Sequence, residues 1–325
     1  MKRIGNLYDA IWQWDNLRTA FWKARKGASR SRTVQRFELN LDDHLRELAT
    51  DIREQRVQSA GSTQFLIHDP KERTITAPAF RDRVLHHAIM NVCEPHFDRW
   101  LIFDSYACRK GKGRLAALER ATHYAKAHGW FLKLDIRKYF ESIPHGNLLS
   151  ELGLKIKDAR LLALMERLIV TGKGPGLPIG SLLSQHLANF YLGPVDRLCR
   201  EQLRVPGYVR YMDDFTLWGD DPVVLRAQWE RLEGFVANRL GLQFKDGAHL
   251  NRTAHGMNFC GFRIFPGWRV LNRRSRKRLT SKLLALDELS DEREQQSRAQ
   301  AVIAFAKEGS SWQTRQRALA RALTA

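Results

Sequence analysis

The chain has 325 residues, enough for a sizeable core spread over two or three subdomains, and its 43% hydrophobic content excludes general disorder. An excess of 54 Lys and Arg over 35 Asp and Glu, formally +19, is large for a merely solubilising surface and points to an acidic partner, nucleic acid first. No apolar run is long enough to cross a bilayer and the start MKRIGNLYDA lacks the apolar centre of a signal peptide, so a cytoplasmic protein without a membrane partner is expected.

Residues 6–25 read as one helix, with Leu7, Ile11, Trp14 and Phe21 on one side. The basic run Lys23–Arg36 then reads as a solvated loop or an RNA-contacting arm. Asn40 is placed to cap a helix carrying Leu45, Leu48 and Ile52. A hairpin is expected next, Phe65–Ile67 against Arg73–Thr76 around the turn Asp69-Pro70-Lys71-Glu72. After Pro78 a helix bearing Val84, Leu85 and Ile89 is expected to end near Glu94-Pro95. Its His86 and His87 lack a third partner at ligand spacing, so packing or RNA contact is their expected role.

The loop Cys108–Arg114 combines glycines with Arg109, Lys110, Lys112 and Arg114, suiting close approach to phosphates, and it lacks the GK[ST] ending of a nucleotide-binding P-loop. A helix over 115–127 is expected, then a strand from Trp130 running into Asp135. Helices are expected over 158–170 and 181–192, the second ending or kinking at Gly193-Pro194, with the glycine-rich Thr171–Gly176 between them. Asp221-Pro222 opens another, Phe259–Phe265 reads as a strand pair ending at Pro266-Gly267, and the remainder reads as a basic helical segment ending with Trp312, Leu319 and Leu323. The four cysteines lie far apart among apolar residues, which predicts buried free thiols.

The most informative stretch is YVRYMDDFTLW, Tyr208–Trp218. Two aromatic, β-branched runs flank Asp213 and Asp214, so the pair reads as a hairpin turn between strands. An Asp pair in a turn is ordinarily solvated. The sharper reading is half of a magnesium site, because hard cations are held by carboxylate oxygens. Asp135 at the end of its own strand is ordinarily a turn former or cap. Brought beside the pair, it would complete three carboxylates for two Mg²⁺ ions, which can stabilise the attacking and leaving oxygens of phosphoryl transfer. Lys71 and Arg73 are cations suited to a nucleotide triphosphate.

FLKLDIRKYF, LPIGSLLSQHLANFYL, YMDD, LGLQF and NFCGFRI stand in the order found in reverse transcriptases, and over 65–264 the chain resembles the bacterial group that includes group II intron enzymes. The resemblance implies an α+β right hand: fingers over 1–130 with 144–180 returning to them, an antiparallel-sheet palm over 131–267, and a helical thumb over 268–325. It implies metal binding by Asp135, Asp213, Asp214 and the Ile136 carbonyl. Arg73, Lys71 and the loop 109–114 would line the nucleotide and template path, with Phe140 as the steric gate against a ribose 2′-hydroxyl. Where most bacterial relatives carry QGxxxSP, this chain reads Ile179-Gly180-Ser181-Leu182-Leu183-Ser184-Gln185. The IGxxxSQ form, from Ile179 to Gln185, is similar to the reverse transcriptases of diversity-generating retroelements. Those copy a template-repeat RNA into cDNA with errors at adenines and work with a small, basic, helical, oligomeric accessory protein. The implied partners are therefore template RNA, the RNA/cDNA duplex, dNTPs and such a protein, in a bacterial or phage-encoded setting. A retron, abortive-infection or CRISPR-linked enzyme would share the metal site and differ in template; a non-catalytic RNA-binding scaffold is the reading from another class. Intron-type relatives carry a Lys after LGL where this chain has Gly247-Ala248-His249, which leaves His249 or Lys245 as a substitute acid, or none.

Overall fold

The computed structural model describes residues 3–68, 72–170, 174–286, 291–312 and 316. The N-terminal apolar stretch is two helices, α1 (Tyr8–Ile11) and α2 (Trp14–Arg25), broken by extended backbone at Gln13. The Asp158 carboxylate accepts from the Leu7 and Tyr8 amides at 3.0 and 2.9 Å, satisfying the start of α1. The basic run is loop only over 26–31: α2 takes its start, and α3 (Arg32–Leu39) takes the rest because Val34 and Phe37 bury one face. After α4 (Leu41–Arg53), the expected hairpin forms from β1 (Ser62–Ile67) and β2 (Arg73–Pro78). Asp69, Pro70 and Lys71 of its turn lie outside the described residues.

Helix α5 (Phe80–Trp100) runs through Pro95 instead of ending there. Proline removes one helical donor, but Phe97 and Trp100 beyond it pack on the Phe190 ring at 5.3 and 5.7 Å, and that burial offsets the loss. Then come α6 (Arg114–Ala127), β3 (Trp130–Asp135), α7 (Tyr139–Ser142), α8 (His145–Gly153), α9 (Ala159–Ile169) and α10 (Leu182–Tyr191). Asp158 and Ser181 cap the last two. Gly193-Pro194 ends α10 and opens α11 (Gly193–Arg197). β4 (Gly207–Tyr211), β5 (Asp214–Gly219), α12 (Pro222–Leu240) and β6 (His249–Arg252) follow. The expected strand pair is three-stranded, β7 (Met257–Phe259), β8 (Phe262–Phe265) and β9 (Trp268–Leu271), because Pro266-Gly267 turns the chain back instead of ending the sheet. Two helices, α13 (Arg273–Leu284) and α14 (Glu292–Lys307), come last. Trp312 is exposed; Leu319 and Leu323 lie outside the described residues.

The chain divides into two compact units. The first comprises Met1–Ile102, Ile136–Arg197 and Glu233–Phe244. Its core joins Phe21, Phe37 and Phe80 with the apolar faces of α4 and α5. Here the Ile179 carbonyl accepts from the Thr76 amide at 2.7 Å, and the Leu177 amide donates to the Phe140 carbonyl at 2.7 Å, so residues 177–179, at the start of the IGxxxSQ segment, tie β2 to α7. Gly180 makes that approach possible. Its φ is +114°, and a Cβ there would meet the Thr76 carbonyl oxygen at 2.8 Å. Gly180→Ala should therefore cost about 1–3 kcal/mol in a urea melt, and an unchanged midpoint would show that the hairpin can retreat freely.

The second unit comprises Phe103–Asp135, Leu198–Leu232 and Lys245–Ala325. Its antiparallel sheet has the order β4-β5-β3-β6. Ala117, Leu118, Ala121 and Tyr124 of α6 pack with Phe131, Val209 and Trp218 of that sheet and with Met257, Phe259 and Phe262 of the second sheet. None of the four cysteines forms a disulfide; Cys93 and Cys199 are buried as expected, whereas Cys108 and Cys260, at turns with positive φ, are half-buried.

Candidate active site

The second unit brings the three predicted carboxylates together, Asp135 and Asp214 on neighbouring strands and Asp213 at a turn. In the β3–β5 register Asp135 lies opposite Asp214, and Asp214 also lies opposite Tyr211 of β4. The turn of the β4–β5 hairpin is Met212-Asp213, not the Asp pair itself; Asp214 already belongs to β5. Met212 takes a left-handed φ of +56°, a strained choice for a non-glycine residue that sets Asp213 at the tip.

Two cations stand around these groups, Lys245, already a candidate acid from its place in the sequence, and Lys133, which sequence reading missed. Lys133, two residues before Asp135 and so on the same face of β3, pairs with the Asp214 carboxylate. Lys245 pairs with Asp135 Oδ2, and its backbone amide donates to the Asp135 carbonyl at 2.9 Å. His249, the other candidate acid, packs against the Phe131 ring at 5.3 Å, so it is Lys245 that carries a cation to the carboxylates.

Arg210 is completely buried in β4. It donates to Ser105 Oγ and to the Met212 carbonyl, each at 3.0 Å, fixing the strained turn from beneath. Its only signal in the sequence was a charge inside an apolar strand. Arg210→Met should lower stability by about 1–3 kcal/mol through the unsatisfied Met212 carbonyl and Ser105 hydroxyl. Activity should fall further than the folded fraction does, and parallel losses would reduce Arg210 to a packing residue.

Burial and then the neighbouring negative Asp135 push the Asp213 carboxyl up to about 6. Burial also raises Asp214, opposed by Lys133. Among the described residues no group of three His, Cys, Asp or Glu meets as a ready metal cage. The donor chemistry nevertheless fits a hard cation: Asp135 Oδ1 is buried without a hydrogen-bond partner, and Asp213 carries like-charge repulsion from Asp135 and Asp214 that Lys245 only partly offsets. Lys133 holds one oxygen of Asp214 and Lys245 the second oxygen of Asp135, which leaves Asp135 Oδ1 for a cation without moving either ammonium group.

The remaining predicted residues divide between the units. Arg73 is exposed on β2, and Phe140 and Ile179 are half-buried beside the 177–180 segment, all in the first unit with Gln185 of α10 and with Ile136. His86 is buried against Ser181 Oγ at 3.3 Å, and desolvation lowers it to about 4, the behaviour of a packing residue. In the loop after Cys108, Arg109 donates to the Ser105 carbonyl and Lys112 to the Phe103 carbonyl, while Arg114 pairs with Glu308 at 2.6 Å. These cations, with Lys110, belong to the second unit, and Arg114 reaches Glu308 at the end of α14.

Comparison with known proteins gives one family, described as Reverse transcriptase (RNA-dependent DNA polymerase), matching residues 67–264. Protein YkfC of Escherichia coli is 25% identical over 256 residues, 63% of this chain and 65% of that protein. The group II intron-encoded protein LtrA of Lactococcus lactis is 27% identical over 136 residues, 39% of this chain and 23% of its own length. Nuclear intron maturase 4 of Arabidopsis thaliana is 26% identical over 205 residues, 59% of this chain and 24% of its own. The match thus spans about a quarter of the length of the two intron-related proteins. Among solved structures, apo telomerase from Candida tropicalis is similar in fold, with a TM-score of 0.52 at 12% identity, covering 80% of this chain and 59% of that one.

Proposed function

Because the chain belongs to the reverse transcriptase (RNA-dependent DNA polymerase) family and has a right-hand polymerase fold, we propose that it is an RNA-directed DNA polymerase. We further assign it to a diversity-generating retroelement, copying a template-repeat RNA into cDNA with errors at adenines. The observation carrying the polymerase reading is the register that sets Asp135 opposite Asp214, beside Asp213 at a strained turn. The retroelement reading rests on Ile179-Gly180 through Ser184-Gln185.

Two Mg²⁺ ions would be held by Asp135, Asp213 and Asp214, with the Ile136 carbonyl as a further ligand. When bound, such ions stabilise charge on the attacking and leaving oxygens. This chain's own residues do the rest. Lys133 neutralises Asp214 and orients it, and Lys245 stands at Asp135 with a proton to give to a departing oxygen. Arg73 and Lys71 would hold the triphosphate of a dNTP, Gln185 the helix beside it, and Arg109, Lys110, Lys112 and Arg114 the template RNA and RNA/cDNA duplex. In this reading the fingers are 1–130 with 144–180, the palm 131–267 and the thumb 268–325. A small, basic, oligomeric accessory protein would act with it. No described helix is long and apolar enough to cross a membrane.

Primer extension on a template-repeat RNA with Mg²⁺, followed by cDNA sequencing, tests the reading. The expected product carries substitutions concentrated opposite adenines. Accurate cDNA removes the retroelement assignment, and no cDNA removes the polymerase one. Ile179 sharpens this. A Gln in its place can hydrogen-bond near an incoming sugar, whereas isoleucine can neither donate nor accept. One net hydrogen bond is worth about 1 kcal/mol, roughly fivefold in discrimination. Ile179→Gln should therefore lower misincorporation at adenines several-fold while synthesis continues, and an equal error rate in an active variant takes this residue out of the mechanism.

A further inference from the structure

The sheet of the second unit that feeds the C-terminal helices carries an arrangement none of the roles above uses. Strands β8 and β9 are joined by only Pro266 and Gly267. Proline suits the first turn position, and the φ of +81° at Gly267 suits the second in a type II turn. Phe265 and Trp268 consequently face each other as the last cross-strand pair. Their rings stack nearly parallel, 4.2 Å between centroids and 8° between planes. The Arg263 guanidinium lies 5.4 Å from the Phe265 centroid. With Phe265 against it, Trp268 remains 48% exposed, a large indole surface held rigid and left open.

These residues and Arg273, Arg274 and Arg276 of α13 line a groove of about 570 Å³, within the range of about 300–1,000 Å³ usual for small-ligand sites. The three α13 arginines make no ion pair among the described residues, unlike Arg114. From Gly247 to Leu286 the sequence has nine Lys and Arg and no Asp or Glu. A cationic or metal ligand is therefore excluded. A neutral apolar ligand would leave the guanidiniums without a purpose. What meets both features is a chain of planar rings linked by anions. Base pairing would bury those rings in their own stack, so the bases must be unpaired for Trp268 to reach one.

We propose that this groove binds a single-stranded stretch of RNA, with one base stacked on Trp268 and the adjoining phosphates on Arg273, Arg274 and Arg276. This rests on the reading of the chain as an RNA-copying enzyme, in which template outside the copied duplex is the unpaired RNA at hand. The contact is independent of base identity, because every base has a face to stack and the arginines read only phosphate.

The test measures binding of the full chain to a labelled unstructured RNA of about twelve nucleotides and, separately, to a blunt RNA/DNA duplex, over a range of KCl. Trp268→Ala should weaken the single strand by roughly five- to hundredfold with the salt slope unchanged, and Trp268→Phe should restore most of the affinity. Replacing Arg273, Arg274 and Arg276 together by Gln should flatten the log–log salt slope by about 2, at about 0.7 for each single-strand phosphate released. Duplex affinity should change little in the tryptophan variant. Circular dichroism confirms that each variant is folded, and the phenylalanine variant, which keeps a stacking ring, separates packing from recognition. Unchanged single-strand affinity in both the tryptophan and arginine variants overturns the proposal and leaves the face to a protein partner. Equal loss on single strand and duplex overturns it as well. The readout is binding, so a chain that binds as expected but makes no cDNA refutes the polymerase reading alone.

Discussion

Asp213→Asn should abolish Mg²⁺-dependent cDNA synthesis and, in the same preparation, stabilise the metal-free protein near pH 8. The first effect follows from removing a carboxylate placed for the reacting phosphate; losing about 4 kcal/mol of transition-state stabilisation is about a thousandfold in rate. The second follows from linkage. The folded carboxyl is raised to about 6 from an ordinary value of 3.8, first by burial and then by Asp135. Such a group disfavours folding fully above its folded pKa and ceases to do so below its unfolded one. The gain from asparagine should therefore be largest above pH 6 and shrink as the pH falls towards 4. Asp135→Ala and Asp214→Ala should share the loss of synthesis, with RNA binding retained in all three. They leave Lys245 and Lys133 unpaired, so they should not share the gain in stability. Substantial extension by Asp213→Asn would sink the proposed site, and a destabilised variant at pH 8 would mean that the like-charge strain is already relieved.

Phe140→Ala should admit ribonucleotides that the parent rejects. The ring belongs to α7, and the Phe140 carbonyl is held by the Leu177 amide, so its position depends on the same segment that carries Ile179. Loss of a steric block of this kind is worth roughly ten- to a hundredfold in discrimination. Full burial would put the stability cost at about 3–5 kcal/mol, but the side chain is only half-buried and the cost should fall below that. Single-nucleotide incorporation with rNTP and dNTP, on variant protein shown to be folded, reads the preference directly. An unchanged ratio takes the gate assignment from Phe140.

The chain's chemistry was legible in its sequence wherever it depended on neighbours in the chain. Apolar runs ending in Asp135 and flanking Asp213-Asp214 announced strands that finish on carboxylates, because side-chain type and strand period are local properties. Helix starts at Asp158, Ser181 and Asp221-Pro222 were legible for the same reason, since capping acts over three or four residues. The left-handed turn at Met212 was not, because no glycine marks it; Arg210 enforces it from below with help from Ser105, 105 residues away. Nor was the continuation of α5 through Pro95, which local propensity forbids and the packing of Phe97 and Trp100 on Phe190 permits. The sequence alone determined which groups are available to act on a phosphate. Only the tertiary structure decided their pairing, Lys133 with Asp214 across 81 residues and Lys245 with Asp135 across 110, because strand register and the charges it brings together are settled by packing, not by spacing along the chain.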